Sequence, residues 1–189
     1  MHWGHFVSED LTYWSRLPIA LAPDQDYDSA GVFSGSITIS DEGLPVIAYT
    51  GQKPTSETQC LAFPKNASDP LLVEWVKAAY NPIIAAPPPL GNPGEFRDPT
   101  TAVKEDGVWY MHVGTQYQGQ PAVLTYTSSD FKSWTFKDTL YSSSIWGGNW
   151  ECPDFIRVYS PQKQLVGYVL KVSVEPVKMP PTDMWLVGD

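Results

Sequence analysis

The chain has 189 residues, of which 42% are hydrophobic and 13% aromatic, and its formal net charge is −9. This size and apolar content exclude an intrinsically disordered chain and allow one domain with a sizeable core. The acidic balance, without a cluster of Lys and Arg, excludes nucleic acid as a partner.

Several further classes of function are disfavoured. No apolar run approaches the ~20 residues that a membrane-spanning helix needs, so no membrane partner is expected. Met1 leads directly into His2, with no charged and apolar leader, which predicts no signal peptide. The histidines and cysteines show no metal-ligand spacing, so neither a metal nor a cofactor is predicted. Cys60 and Cys152 could form a disulfide or remain free thiols, and their spacing leaves both open.

Eighteen Pro and fourteen Gly divide the chain into short segments rich in β-branched and aromatic residues. The pattern predicts three β-hairpins in chain order: strands 32–39 and 45–50, strands 100–103 and 108–113, and strands 155–159 and 165–172. Turn residues at 41–43, 105–107 and 160–164 join the two strands of each hairpin. We predict an all-β protein.

A second repeat is superimposed on the hairpins. Residues 8–14, Ser-Glu-Asp-Leu-Thr-Tyr-Trp, match residues 128–134, Ser-Ser-Asp-Phe-Lys-Ser-Trp. Each copy predicts a turn that feeds an edge strand and ends on a buried Trp. Antiparallel units repeated at this length are typical of β-propeller blades, and about three blades fit in the chain, which indicates part of a ring. Residues 82–93 are predicted to be an extended connection between blades.

The hairpins also predict where a site would lie. Residues 33–35, 97–99 and 151–153 occupy equivalent positions at the first strand of each hairpin. The first strands of propeller blades line the central channel, so Ser34, Asp98 and Glu151 should meet at one mouth of that channel. A carboxylate pair favours glycoside hydrolysis, but the retaining reaction also needs a nucleophile, and the sequence offers no convincing candidate.

At these residues the chain resembles glycoside hydrolase family 32, the β-fructofuranosidases, and especially plant acid invertases and fructan exohydrolases. The motifs that carry the resemblance are Trp3-Gly4-His5, residues 8–11 with Trp14, residues 31–36, Tyr49-Thr50-Gly51, residues 66–72 with Trp75, residues 96–99, and residues 150–155. The resemblance implies a five-bladed propeller followed by a β-sandwich. This chain would correspond to a fragment of the catalytic propeller over 1–189, from the end of blade one to most of blade three. The sandwich would be absent, and 174–189 would be a divergent tail.

The resemblance also assigns roles to individual residues. Glu151 would be the general acid/base, and Asp98 would stabilise the transition state. Arg97 would hold the neighbouring carboxylates ionised or contact substrate, while Ser34 and Phe33 would line the fructose subsite. Each residue also has a structural interpretation: a strand-end Glu for Glu151, an Asp-Pro turn with a local salt bridge for Asp98, and a packed strand entry for residues 33–34.

The nucleophile of the family lies on an Asn-Asp-Pro motif, which this chain lacks. The first functional hypothesis is therefore a retaining β-fructofuranosidase for sucrose or fructan, with this chain inactive by itself. The second is a non-catalytic homologue that binds sugar or associates with another chain through open blade edges. The resemblance places intact relatives in the cell wall or the vacuole.

Overall fold

A computed structural model describes residues 1–144, 147–175 and 182–188. The described residues form fourteen β-strands and one short 3-10 helix, Asp26–Asp28. The prediction of an all-β protein is confirmed. No helix in these ranges is long and apolar enough to cross a membrane.

The strands form four antiparallel sheets in the described part of the chain. The first sheet pairs β1 (Trp3–Val7) with β2 (Ser15–Leu21), and the second has the order β3 (Gly31–Ile39), β4 (Pro45–Gln52), β5 (Glu57–Pro64), β6 (Trp75–Lys77). In the third sheet the order is β11 (Thr135–Ser142), β10 (Gln120–Ser128), β9 (Val108–Tyr117), β7 (Gly91–Arg97), with β8 (Val103–Glu105) also pairing with β9. The fourth sheet has the order β12 (Asn149–Tyr159), β13 (Leu165–Glu175), β14 (Thr182–Gly188). The number of blades in a complete ring stays a prediction.

The first and third predicted hairpins are present, as β3–β4 and β12–β13. The second predicted hairpin, with strands 100–103 and 108–113, differs from the structure. Residues 100–102 are not in a strand, and β8 begins only at Val103. The break starts at Asp98, whose φ is 63°, and Pro99 then has no N–H to offer to the ladder. The chain rejoins β9 where the Thr100 N–H donates to the His112 carbonyl at 2.9 Å. The predicted strand 100–103 was therefore wrong over most of its length.

The repeated seven-residue turn is present twice with the same hydrogen bonds. The Asp10 carboxylate accepts two backbone N–H groups at 2.8 Å, and the Asp130 carboxylate does the same. Each turn leads into an outer strand, β2 or β11. The expectation that both copies end on a buried Trp was wrong for one of them, since Trp134 is 9% exposed and Trp14 is 55% exposed.

Among the described residues, three apolar clusters fill the space within and between the sheets. The largest includes Phe96, Trp109, Met111, Phe131 and Trp134 and joins the second sheet to the third. A smaller one buries Trp150 between the third and fourth sheets. Residues 182–188, within the predicted divergent tail, form β14 and pair with β13 over seven residues.

Candidate functional site

Three successive sheets have an irregularity at the same point of their first strand. In β3 the register shifts between Phe33 and Gly35, so that Ser34 is an extra residue. In the third sheet, β7 ends at Arg97 and Asp98 turns away. In β12 the register shifts after Glu151, and Cys152 takes a φ of 45°. Bulges such as those in β3 and β12 redirect side chains and recur next to active sites.

Arg97 lies at the centre of the site and joins two carboxylates. Its Nε and Nη2 donate to Glu151 Oε1 at 3.0 and 2.6 Å. Its Nη1 donates to both oxygens of Glu57, at 3.1 and 3.2 Å. Burial alone would lower the pKa of Arg97, but the bonds and charges of the two glutamates raise it above its ordinary value. Arg97 is therefore a permanent cation shared between two acidic groups.

Glu57 forms the deep side of this arrangement. Its side chain is 2% exposed, and one oxygen also accepts the backbone N–H of Phe96 at 2.6 Å. Burial raises the pKa of Glu57, while the Arg97 charge and the Phe96 N–H act in the opposite direction. Without Arg97, this carboxylate would be a buried charge with no counter-ion among the described residues.

Asp98 is held from two sides. Its backbone N–H donates to Thr50 Oγ1 at 2.9 Å, and its Oδ2 accepts the Cys152 N–H at 2.7 Å. Thr50 in turn donates to Gln59 Oε1 at 3.0 Å, and Gln59 Nε2 donates to the Phe96 carbonyl at 2.7 Å. The Asp98 residue is 6% exposed, and burial raises the pKa of its carboxyl.

Glu151 is the most accessible carboxylate of the three, with a side chain that is 33% exposed. Only its Oε1 accepts bonds from Arg97, and Oε2 accepts no hydrogen bond from the described residues. Next to it, Cys152 has a free thiol, and Cys60 is a second free thiol buried in the second sheet. Burial raises the pKa of the Cys152 thiol to about 11, which does not suit a nucleophile.

The structure joins three of the five predicted site residues into one contact network: Arg97, Asp98 and Glu151. Phe33 and Ser34 are outside this network. The Phe33 carbonyl accepts the indole N–H of Trp3 at 2.8 Å, and its side chain is half-buried. Ser34 is exposed, and within residues 1–144, 147–175 and 182–188 its hydroxyl makes no hydrogen bond. A substrate-binding role for residues 33 and 34 stays a prediction.

Sequence reasoning missed Glu57, Thr50 and Gln59. The sequence alone carries no clear signal for them, because β5 begins with a charged residue and its first six residues are nonetheless all buried. A charged side chain in such a strand requires a partner. The partner is 40 residues away in sequence, so the pair emerges only when the second and third sheets are in contact.

The site therefore contains a partly exposed carboxylate, Glu151, and a buried one, Glu57. The Arg97 guanidinium binds both of them. A free carboxyl oxygen can exchange a proton with a bound group, and a buried carboxylate can accept hydrogen bonds from hydroxyl groups. Antiparallel hairpin sheets that bring Asp98 and Glu151 together where their first strands are interrupted define a propeller-type domain with a carboxylate site.

Comparison with known proteins places this domain in a family. The model for the Glycosyl hydrolases family 32 N-terminal domain matches residues 1–189, and the chain belongs to this family. The resemblance drawn from the sequence motifs is thereby confirmed.

Curated relatives include fructan 1-exohydrolase from Triticum urartu, 44% identical over 98% of this chain, and fructan 6-exohydrolase from Beta vulgaris, 45% identical over 83% of it. Among solved structures, fructan 1-exohydrolase IIa from Cichorium intybus superimposes on 99% of this chain with a TM-score of 0.88 and 38% identity. The β-fructofuranosidase from Bombyx mori gives a TM-score of 0.79 at 28% identity over the whole chain.

The chain spans about a third of the length of these relatives: 32% of the Triticum urartu protein and 36% of the Cichorium intybus structure. A variant of the Cichorium intybus enzyme has been solved in complex with 1-kestose, and a Schwanniomyces occidentalis β-fructofuranosidase with fructose.

Proposed function

We propose that this chain forms part of the active site of a retaining glycoside hydrolase of the β-fructofuranosidase type, acting on sucrose or fructan. The observation that carries the proposal is the oxygen Oε2 of Glu151, which accepts no hydrogen bond from any described residue while Oε1 is fixed by Arg97. Family membership and the fructan exohydrolases among its relatives support the substrate class.

In this proposal Glu151 protonates the leaving glycosidic oxygen and later activates water. Asp98 accepts hydrogen bonds from hydroxyl groups of the fructosyl ring, and such charge-assisted bonds strengthen as the ring becomes oxocarbenium-like. Arg97 positions Glu151. Ser34 and Phe33 line the sugar subsite from the neighbouring sheet.

Retention also requires a nucleophilic carboxylate about 5–5.5 Å from Glu151. Glu57 and Asp98 do not suit this role, because each is buried and accepts a backbone N–H. The resemblance assigns the nucleophile to an Asn-Asp-Pro motif, and no such motif occurs in the 189 residues. We therefore expect this chain to bind fructosides with little or no turnover.

The test measures binding of sucrose and 1-kestose by calorimetry, and their hydrolysis by release of fructose. Asp98→Asn should weaken binding at least tenfold, whereas Glu151→Gln should preserve binding and abolish any measurable turnover. Glu105→Gln is the matched control, since Glu105 is an exposed glutamate that pairs with Arg157. Turnover that survives Glu151→Gln would remove the acid/base role, and a folded chain that binds no fructoside would refute the site.

A second candidate function is association through an open sheet edge. Among the described residues β14 is an edge strand of the fourth sheet, and its Trp185 and Val187 are 72% and 74% exposed. Edge strands with apolar side chains favour pairing with another chain. Light scattering should then show a dimer or larger species that Trp185→Lys converts to monomer; a wild-type monomer at high concentration would contradict this function.

The family resemblance also supports a proposal about cellular location. Intact plant relatives of this kind work in the cell wall or the vacuole by the resemblance, and we propose the same compartments for the protein that contains this chain. Expression of that protein with a fluorescent tag, followed by imaging, tests the assignment; retention in the cytosol would contradict it.

A further inference from the structure

A cleft of about 310 Å³ lies between the third and fourth sheets and has no lining residue in common with the Arg97 site. Its lining comes from strands β8 to β11 on one side and from β12 and β13 on the other. The volume is at the lower end of the range for small-molecule sites. The walls are mainly apolar and aromatic, with Tyr110, Phe155 and Tyr168 as the largest side chains.

The floor of the cleft contains a buried imidazole. His112 is 4% exposed, and its Nδ1 lies 3.1 Å from Thr125 Oγ1. Its Nε2 has no hydrogen-bond partner among the described residues. Burial lowers the pKa of His112 to about 4, so the ring is neutral at neutral pH. Nε2 is therefore an unused hydrogen-bonding group on a residue that lines a space a ligand can enter.

The ring geometry favours a flat ligand. Phe155 stacks on Tyr168 with ring centroids 5.1 Å apart and an interplanar angle of 10°. His112 meets the same Phe155 ring edge-on, with centroids 4.6 Å apart. Aromatic rings prefer stacked and edge-to-face neighbours of this kind, and a further ring would continue the arrangement.

Charged groups of both signs lie at the rim of the cleft. Glu105 pairs with Arg157 and accepts the hydroxyl of Tyr168 at 3.2 Å. The ammonium of Lys137 lies over the ring of Tyr110, 4.6 Å from its centroid. Asp138 also lines the cleft, where its Oδ1 accepts the Thr139 N–H at 2.7 Å. The rim therefore carries ammonium and carboxylate groups together and favours neither an anionic nor a cationic ligand.

We propose that this cleft is a second binding site, separate from the fructoside site, for a small uncharged aromatic ring with one hydroxyl group, that is, a phenol. The ring lies against Phe155 and Tyr168, and the hydroxyl exchanges a hydrogen bond with His112 Nε2. A phenolic hydroxyl can donate or accept, so it suits either tautomer of the neutral imidazole.

The experiment follows the side-chain nitrogens of the three histidines by NMR at pH 7 while phenol is added to the whole chain. We expect a saturable shift of the His112 resonance with a Kd of about 1 mM, and no shift of His5, which lies on β1. Benzene should bind at least tenfold more weakly, because it leaves the nitrogen unpaired. Absence of a saturable His112 shift, or equal affinity for benzene, would overturn the proposal.

Two test variants, each with a control, ensure that the conclusion does not depend on a single substitution that could disturb folding. His112→Phe should remove the preference for phenol over benzene, whereas the matched variant His5→Phe should keep it. Leu140→Trp fills the cleft from its wall and should block phenol without removing the imidazole. Glu151→Gln should bind phenol like the unchanged chain, which separates this site from the fructoside site. Fructose or sucrose shifting the His112 resonance in place of phenol would show that the ligand class is wrong.

Discussion

Replacing Arg97 by Met tests the reasoning about the site most directly, because the guanidinium is the counter-ion of a carboxylate that is 2% exposed. Removing one partner of a buried ion pair costs about 3–5 kcal/mol, since the other charge stays buried. Glu57 loses two bonds from Arg97 and keeps only the Phe96 N–H. We expect Arg97→Met to lower the free energy of unfolding by this amount at pH 7.

The pH dependence distinguishes charge burial from lost packing. Burial raises the pKa of Glu57, so between its unfolded and folded pKa values the folded state binds more protons. Stability linked to such a group is greatest below the unfolded pKa, about 4.3, and decreases as the pH rises through the folded pKa. Loss of Arg97 raises that folded pKa further, so the defect of Arg97→Met should be largest at pH 7 and should shrink by half or more at pH 4.

Urea denaturation at both pH values measures the effect. The double variant Arg97→Met/Glu57→Gln should recover most of the loss at pH 7, because no charge then remains buried. Arg157→Met is the matched control: its pair with Glu105 is more exposed and should contribute less than about 1 kcal/mol. A loss below 1 kcal/mol for Arg97→Met, or a loss of the same size at both pH values, would refute the reasoning.

Three further predictions concern other parts of the structure. Gly114→Ala places a Cβ 2.4 Å from the Trp150 carbonyl, so β9 and β12 must separate and calorimetric Tm should fall markedly. Thr50→Val removes a hydroxyl that accepts the Asp98 N–H and donates to an amide, which should cost about 1–3 kcal/mol in urea denaturation. Backbone N–H bonds lower the pKa of Asp130 to about 2, so the stability it contributes is present above pH 4 and is lost toward pH 2. The Tm difference between Asp130→Ala and the unchanged chain should disappear over that interval.

Matched variants accompany each of these. Gly94→Ala meets its nearest atom only at 3.6 Å and should leave Tm unchanged. Thr127→Val removes a hydroxyl without a hydrogen bond in the described structure and should have little effect. Asp10→Ala, in the equivalent turn, should follow the same pH dependence as the Asp130 variant, since backbone N–H bonds also lower the pKa of Asp10. Equal losses in test and control variants, or pH-independent differences for the aspartates, would contradict the three predictions.

The hairpins could be predicted because their signals are local. Alternating β-branched residues, with a Gly-containing turn at 41–43 and a Pro-containing turn at 160–164, determine β3–β4 and β12–β13 without any distant contact. The break after Arg97 was less visible, since it depends on a positive φ at Asp98 that the Cys152 N–H stabilises from 54 residues away. Such a conformation is compensated by tertiary contacts, and propensity alone does not reveal it.

Burial was harder to predict than strand order. Trp14 and Trp134 follow the same turn with the same hydrogen bonds, yet only Trp134 is covered, because Phe131 and Trp109 lie against the second turn. Glu57 differs from its expected burial in the opposite direction. A charged residue is expected at the surface, but Glu57 is buried because Arg97 supplies its counter-ion. Glu151 and Asp98 could be assigned to one predicted site because their motifs carry the family resemblance, which Glu57 and Gln59 do not, and their catalytic roles stay predictions.

The ion pairs of Arg97 also have a consequence for how the chain folds. The guanidinium links strands β5, β7 and β12, and its partners lie 40 and 54 residues away along the chain. Contacts of such long range form late, after the local hairpins, because closing each loop costs entropy before the contact repays it. The acidic site should therefore assemble last, when the three sheets dock. Formation of the two ion pairs of Arg97 would then indicate that all three sheets have folded together, whereas formation of one hairpin would not.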